Sequence, residues 1–339
     1  EGFSKSLLFS SLVLAPRALS SYVSYECERR LLGTGRKRHD YLDNRDAYKG
    51  TLLFDGVKIG PAWGLIYPST RLAAMPIGHS GASLEEVRQR VRDELGADFR
   101  LLCKRYGHGA QRYRARWYAL APFLLDKIHE SGDDRLASAT RWADAFMRFS
   151  VASQARKTHA QRVLEALARA DHGLGEPPAD LLGWLVDLAI AGPAVCMRRT
   201  LATVWESGAA DNSDEKRLAH ATDCASSFID KMNRMESQRV LRAVMPGAKP
   251  WVAVSSYAAM GNLQAVFDEF LHLLKSVHRG MDESVGAFHI AIAPGAVTIT
   301  AQTALPPLKG QVKEHDFTFH CHYAVPFGNQ SSTEEEGIK

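Results

Sequence analysis

Between Phe99 and Leu125 the chain runs for 27 residues, FRLLCKRYGHGAQRYRARWYALAPFLL, without one Asp or Glu. Arg100, Lys104, Arg105, Arg112, Arg114 and Arg116 lie in this window, interleaved with Phe99, Tyr106, Tyr113, Trp117 and Tyr118. Guanidinium forks pair phosphate oxygens in a planar, bidentate way. Aromatic faces stack on unpaired bases, worth about 1–3 kcal/mol per base. Basic and aromatic residues with no carboxylate to repel phosphate are what a polyanion surface needs. The window therefore marks Arg100, Lys104, Arg105, Tyr106, Arg112, Tyr113, Arg114, Arg116 and Trp117 as a candidate nucleic-acid site, RNA ahead of DNA, with the Gly107-His108-Gly109 hinge letting backbone approach a ligand. The competing reading is a salt-bridged helix face whose long stems cover apolar surface. Smaller basic groups occur at Arg36–His39, around Arg156–Arg162, and at Arg198 and Arg199, which point about a hundred degrees apart on a helix.

Imidazole chemistry concentrates near the other end. Six of thirteen histidines fall between residues 272 and 322: His272, His278, His289, His315, His320 and His322. In FTFHCHYAV a period of two puts Cys321 on one strand face and His320 and His322 on the other. The three cannot bind one ion on a regular strand. The metal candidates reduce to His320 and His322, with a third ligand such as His289 or His315. No cofactor or metal is expected on this pattern, and a His-based, metal-dependent enzyme is the alternative to the nucleic-acid reading.

Other catalytic patterns fail on spacing. IGHSGAS resembles a nucleophile elbow around Ser80, yet Ala82 stands where Gly is required and a highly charged helix follows. GTGRKRH lacks both a third glycine and a following GK[ST], and no HExxH occurs. Asp133 and Asp134, like Glu85 and Glu86, suit helix first turns, where negative charge offsets the macrodipole. No catalytic residue is assigned.

The elements that must position these groups read as three zones and a tail. Residues 1–82 form a mixed segment with short strands at Thr51–Gly60 and Ala62–Ser69. Residues 83–246 hold about seven helices. Residues 247–330 form a C-terminal α/β segment, with a strand at Trp251–Tyr257, a helix at Asn262–His278 and three further strands. Residues 331–339 are a polar tail. Within the helical zone, Ser83 and Glu86 make a capping box, Gly173 and Gly175 stop one helix, and Pro177 and Pro178 suit the first turn of the next. The expected fold is α+β, a helical middle flanked by strand-rich ends able to share one sheet.

Composition is that of a globular chain, 45% hydrophobic and 24% charged with a net charge of +4. Five scattered cysteines with no CxxC pair suit a reducing, intracellular compartment. Residues Gly2 to Tyr25 are acid-poor and contain seven serines, the composition of a mitochondrial or other organellar transit segment. A docked strand and apolar helix is the other reading of that stretch. No run of eighteen apolar residues occurs, so no membrane span is expected. The function expected is a non-catalytic, RNA-binding subunit of a ribonucleoprotein or capsid-like assembly, with other protein subunits as partners. A structural subunit of an organellar complex is the further alternative.

Overall fold

The computed structural model describes residues 22, 52, 54, 59–78, 82–109, 114–130, 136–150, 152–204, 213–233 and 235–269, and the backbone of 287–293, 296–304 and 314–322. From residue 59 to 269 every regular element described is helical. These elements are α1 (Ala62–Ile66), α2 (Thr70–Ala73), α3 (Leu84–Tyr106), α4 (Ala115–His129), α5 (Ala137–Phe149), α6 (Gln154–Ala168), α7 (Leu181–Ala191), α8 (Pro193–Val204), α9 (Ser213–Met232), α10 (Met235–Val244) and α11 (Pro250–Met260). A last helix, α12, covers residues 263–269.

This overturns the α+β expectation. The body contains no strand and no sheet among its described residues. Two stretches read as strands are helices: Ala62–Ile66 and Pro250–Met260. Both are short apolar runs, which a period of two fits as well as a helical one. The prolines decide. Pro61 and Pro250 stand at the helix starts, where a missing N–H costs nothing and a fixed φ is already helical. The expected strand at Thr51–Gly60 lies largely outside the described residues. At the C-terminal end the backbone of Ala287–Ala293, Ala296–Ala304 and Glu314–His322 pairs antiparallel in the order given. These segments pair only with one another, so the sheet shared by both chain ends is not formed among the described residues.

Local signals set the α3 boundaries. Ser83 accepts from the Glu86 N–H, and the Glu86 carboxylate accepts the Ser83 N–H at 2.7 Å, closing the capping box. These bonds hold the Glu86 carboxyl below its usual range. Val91, Leu95, Leu102 and Tyr106 then fall on the buried face.

The helices share one core running from Leu52 to Phe267. Its centre is aromatic: Trp142 packs edge-on to Trp63, Tyr67 and Phe123, with ring centroids 6.1, 5.7 and 5.1 Å away. Pro122 sits inside α4 and deprives the Tyr118 carbonyl of its helical donor. Gly64 of α1 lies against that carbonyl so closely that a Cβ there would stand 2.1 Å from the oxygen. The stretch Leu181–Ala202 is long and apolar enough to cross a membrane, but 83% of it is buried inside the body, as expected of a core helix.

Candidate polyanion-binding surface

The acid-free window forms the corner between α3 and α4. Its basic and aromatic members separate by burial. Arg100 and Lys104 are exposed on the last turns of α3, Arg114 is exposed just before α4, and Arg105 and Arg116 are half-buried. Tyr106 and Trp117 are each 0% exposed and belong to the core. Arg112 and Tyr113 lie outside the described residues.

The aromatics act as internal struts. The Trp117 indole N–H donates to the Gly175 carbonyl at 3.1 Å. Two cations lie near the Tyr106 ring, Arg105 at 5.5 Å and the buried Lys127 at 5.6 Å from its centroid. Lys127 also reaches Asp171 at 3.0 Å. Phe99 packs against the core and Tyr118 is buried within it.

The Gly-His-Gly hinge does let backbone approach closely, and what approaches is the protein itself. Leu174 donates to the Tyr106 carbonyl at 2.7 Å and Gly175 to the His108 carbonyl at 2.9 Å. Gly109 and Gly173 both have φ near +90°, and a Cβ on Gly173 would stand 2.1 Å from the His108 oxygen. The end of α3 is therefore stitched to the 173–175 loop.

Lys104 and Arg105 occupy the last turn of α3, where positive charge complements the macrodipole. Arg100 and Lys104 meet no carboxylate within 4 Å among the described residues. Arg114 makes one long contact, 3.8 Å, to the highly exposed Glu176. Three arginines elsewhere are paired with carboxylates. Arg71 meets Asp98 at 2.6 Å, Arg88 meets Asp187 at 2.8 Å and Arg148 meets Glu215 at 3.0 Å.

Parts of the secondary basic groups are absorbed into the fold, while Arg162 stays exposed and His159 half-buried. Arg156 lays both terminal nitrogens on Asp230 and stacks over Phe54 at 4.4 Å. Lys157 caps the Met147 carbonyl. Arg198 donates to the Pro68 carbonyl, and the neighbouring Arg199 is directed elsewhere, as the helical angle between them requires. Arg36–His39 lie outside the described residues.

A cluster that the sequence did not single out joins the window to two helix starts. Tyr118 donates to Asp180, and Lys249 donates to the Tyr118 hydroxyl at 2.7 Å and to both Asp180 oxygens at 2.8 and 2.7 Å. Burial, then the Asp180 hydrogen bond, drives the Tyr118 phenol well above its ordinary range. Burial pulls the Asp180 carboxyl up, but its bonds from Lys249 and Tyr118 outweigh that and hold it below the usual carboxylate range. All three ammonium donors have acceptors, so the cluster is a clamp between the α7 and α11 starts with no group left for a substrate. Because the folded-state pKa of Asp180 is depressed, its contribution is present above the unfolded pKa of about 3.9 and is lost as pH falls through the folded value. The stability gap between wild type and Asp180→Asn, read by urea unfolding, is expected to be open at pH 7 and to narrow by pH 3. A gap that stays constant over that interval would show that the carboxylate charge does not stabilise the fold.

Cys103 is a half-buried free thiol. Cys196 and Cys224 are buried free thiols, and burial pushes the Cys196 thiol up to about 12. Ser80 lies outside the described residues. No group of three His, Cys, Asp or Glu side chains among those described is placed to hold an ion. The candidates His289, His320 and His322 fall in strands described by backbone alone, where His289 pairs with Thr300, His320 with Thr298 and His322 with Ala296.

Compared with family models, curated proteins and solved structures, the chain is similar to none.

Proposed function

We propose that the chain is a non-catalytic nucleic-acid-associated protein that grips phosphates through the α3–α4 corner, as one subunit of a larger assembly. One observation carries the reading: Arg100, Lys104 and Arg114 stand exposed and almost free of acidic partners at the end of α3 and the start of α4, whereas Arg71, Arg88 and Arg148 are neutralised by carboxylates. Exposed cations without carboxylate partners can meet phosphate without breaking an ion pair, and each phosphate neutralised releases condensed counterions. Arg105 and Arg116 flank the same corner and add positive potential, and Arg112 belongs to the same acid-free stretch.

The test is fluorescence anisotropy with a labelled single-stranded RNA between 50 and 200 mM salt, at about the range where such contacts are lost. Wild type is expected to weaken steeply with salt. The triple variant Arg100→Gln, Lys104→Gln, Arg114→Gln is expected to bind at least tenfold more weakly at low salt. Its log–log salt slope should be shallower by about 2, at roughly 0.7 per phosphate contact. All three side chains are exposed, so the circular dichroism spectrum should not change. Unchanged affinity and slope would remove this corner as the site.

A further inference from the structure

We infer that the phosphate grip is coupled to protons. His108 and His172, two exposed histidines, flank the joint between the α3 end and the 173–175 loop, and they join Lys104 and Arg114 as cations of one surface when phosphate binds. Affinity therefore rises as pH falls. This rests on the proposed function above and names how that site is regulated.

The loop that carries His172 ties the two groups of cations together. The Gly175 N–H donates to the His108 carbonyl at 2.9 Å, just past the end of α3. The Gly175 carbonyl accepts from the Trp117 indole at 3.1 Å, in the first turn of α4. One residue is thus bonded both to the helix end that carries Lys104 and to the helix start that Arg114 caps. Glu176, next in the chain, reaches Arg114 at 3.8 Å. The two histidines meet across the glycines of this joint. A Cβ on Gly173 would stand 2.9 Å from Cδ2 of the His108 ring, and a Cβ on Gly109 would stand 3.2 Å from the His172 carbonyl oxygen. His108 follows Lys104 by four residues, across the Gly107 cap of α3.

The described charged groups around the joint come from four elements. Lys104 and Arg105 lie in the last turn of α3, Arg114 and Lys127 bracket α4, and Arg169 caps α6. The acids are Glu165, Asp171 and Glu176. Glu165 holds Arg169 at 3.3 Å, and Asp171 holds the buried Lys127 at 3.0 Å. Glu176 is 84% exposed and makes the long contact to Arg114. Lys104 and Arg114 are therefore placed to draw in a phosphate beside the two imidazoles. Imidazole is the side chain that ordinarily changes charge between pH 5 and 8. A phosphate oxygen beside the ring favours its charged form, in which both ring nitrogens are donors. Binding then takes up protons, and by reciprocity protons tighten binding. Each imidazolium that meets a phosphate also displaces counterions, so the salt dependence steepens together with the affinity.

The test is fluorescence anisotropy with a labelled single-stranded RNA of uridines only, whose bases take up no proton in the interval used. Binding is measured at about pH 8 and about pH 6, between which imidazole titrates and carboxylates stay ionised. Wild type is expected to bind at least about fivefold more tightly at the lower pH, with a log–log salt slope steeper by about 1, at roughly 0.7 per phosphate contact. The double variant His108→Gln, His172→Gln is expected to lose that gain, its two dissociation constants agreeing within about twofold and its slope staying constant. The double variant His108→Lys, His172→Lys carries its charge at both pH values and is expected to bind equally at both, as tightly as wild type does at the lower one. Both pairs of side chains are exposed, so the circular dichroism spectrum should not change. Wild type that binds with steep salt dependence but equally at the two pH values overturns the inference and leaves the phosphate grip standing. A glutamine or lysine variant that keeps the full gain also overturns it, because the proton then goes elsewhere. Binding at neither pH overturns both.

Discussion

Replacing Asp126 with alanine is expected to cost about 3–5 kcal/mol of folding stability, close to the whole margin of many domains. Asp126 ends the acid-free window and is 4% exposed. Its Oδ1 accepts from the Ser69 hydroxyl at 2.7 Å and the Arg71 N–H at 2.8 Å, and its Oδ2 from the Tyr67 hydroxyl at 2.8 Å and the Thr70 N–H at 2.9 Å. Thr70 and Arg71 open α2, so the carboxylate satisfies first-turn donors of that helix from α4. Alanine would leave two buried backbone N–H groups and two hydroxyls without an acceptor, at roughly 1–3 kcal/mol for each that finds no substitute. Asparagine keeps one oxygen but turns an amide N–H₂ toward donors, so Asp126→Asn should fall between wild type and alanine. The measurement is a urea midpoint at unchanged m-value. A loss under about 1 kcal/mol for alanine would mean that these donors find other partners.

The pH dependence of Asp126 runs opposite to that of Asp180. Burial raises the Asp126 carboxyl above its ordinary range, with the Arg71, Ser69, Thr70 and Tyr67 hydrogen bonds pulling against it. A raised folded-state pKa means a contribution fully present below the unfolded value and diminished as pH rises through the folded one. The advantage of wild type over Asp126→Ala should therefore persist on acidification from pH 7 to 4, while the Asp180 clamp weakens at the acid end.

These two carboxylates show where sequence reading succeeds and where it stops. The Ser83–Glu86 box and the Leu84, Val87, Val91, Leu95 periodicity are visible because their partners lie within a few residues, and α3 starts where they place it. Trp251–Tyr257 is misread because apolar alternation over seven residues fits either period, and the deciding residue, Pro250, stands just outside the run. The basic window is visible as composition, but burial is not a property of residue type. Nothing local distinguishes Trp117, which turns inward to Gly175, from a tryptophan that turns outward. The Asp126 partners lie 55–59 residues away in sequence, and no spacing rule connects them. Helix punctuation is thus local and legible, whereas the polar contacts that join helices are set by how the helices pack.

Arg199→Met is expected to be the second large loss, about 3–5 kcal/mol, and the reason is the same long-range wiring with the opposite charge. Arg199 Nε donates to the Ala73 carbonyl at 2.8 Å, its two terminal nitrogens reach the Leu72 carbonyl at 2.7 Å and Gln264 Oε1 at 3.3 Å, and one also donates to the Ala189 carbonyl. Leu72 and Ala73 end α2, and Ala189 lies in the last turn of α7, so one guanidinium reaches carbonyls at the ends of two helices. Burial depresses its pKa, with the neighbouring Cys196 and Asp268 opposing that. Methionine matches the length of the stem but supplies no donor, so the Ala73 and Ala189 carbonyls lose theirs in a largely dry site, whereas Leu72 keeps backbone donors. Lysine keeps the charge but not the fork, so Arg199→Lys should recover less than half of the loss if the planar geometry matters. Both variants are compared by urea unfolding. Equal stability of the lysine variant and wild type would reduce the role of Arg199 to charge alone. Equal stability of the methionine variant would show that the α2 and α7 carbonyls need no cap. Because α2 is held at its start by Asp126 and at its end by Arg199, Asp126→Ala and Arg199→Met should be non-additive. The double variant should lose less than the sum of the two, since either substitution alone already frees the same four-residue helix.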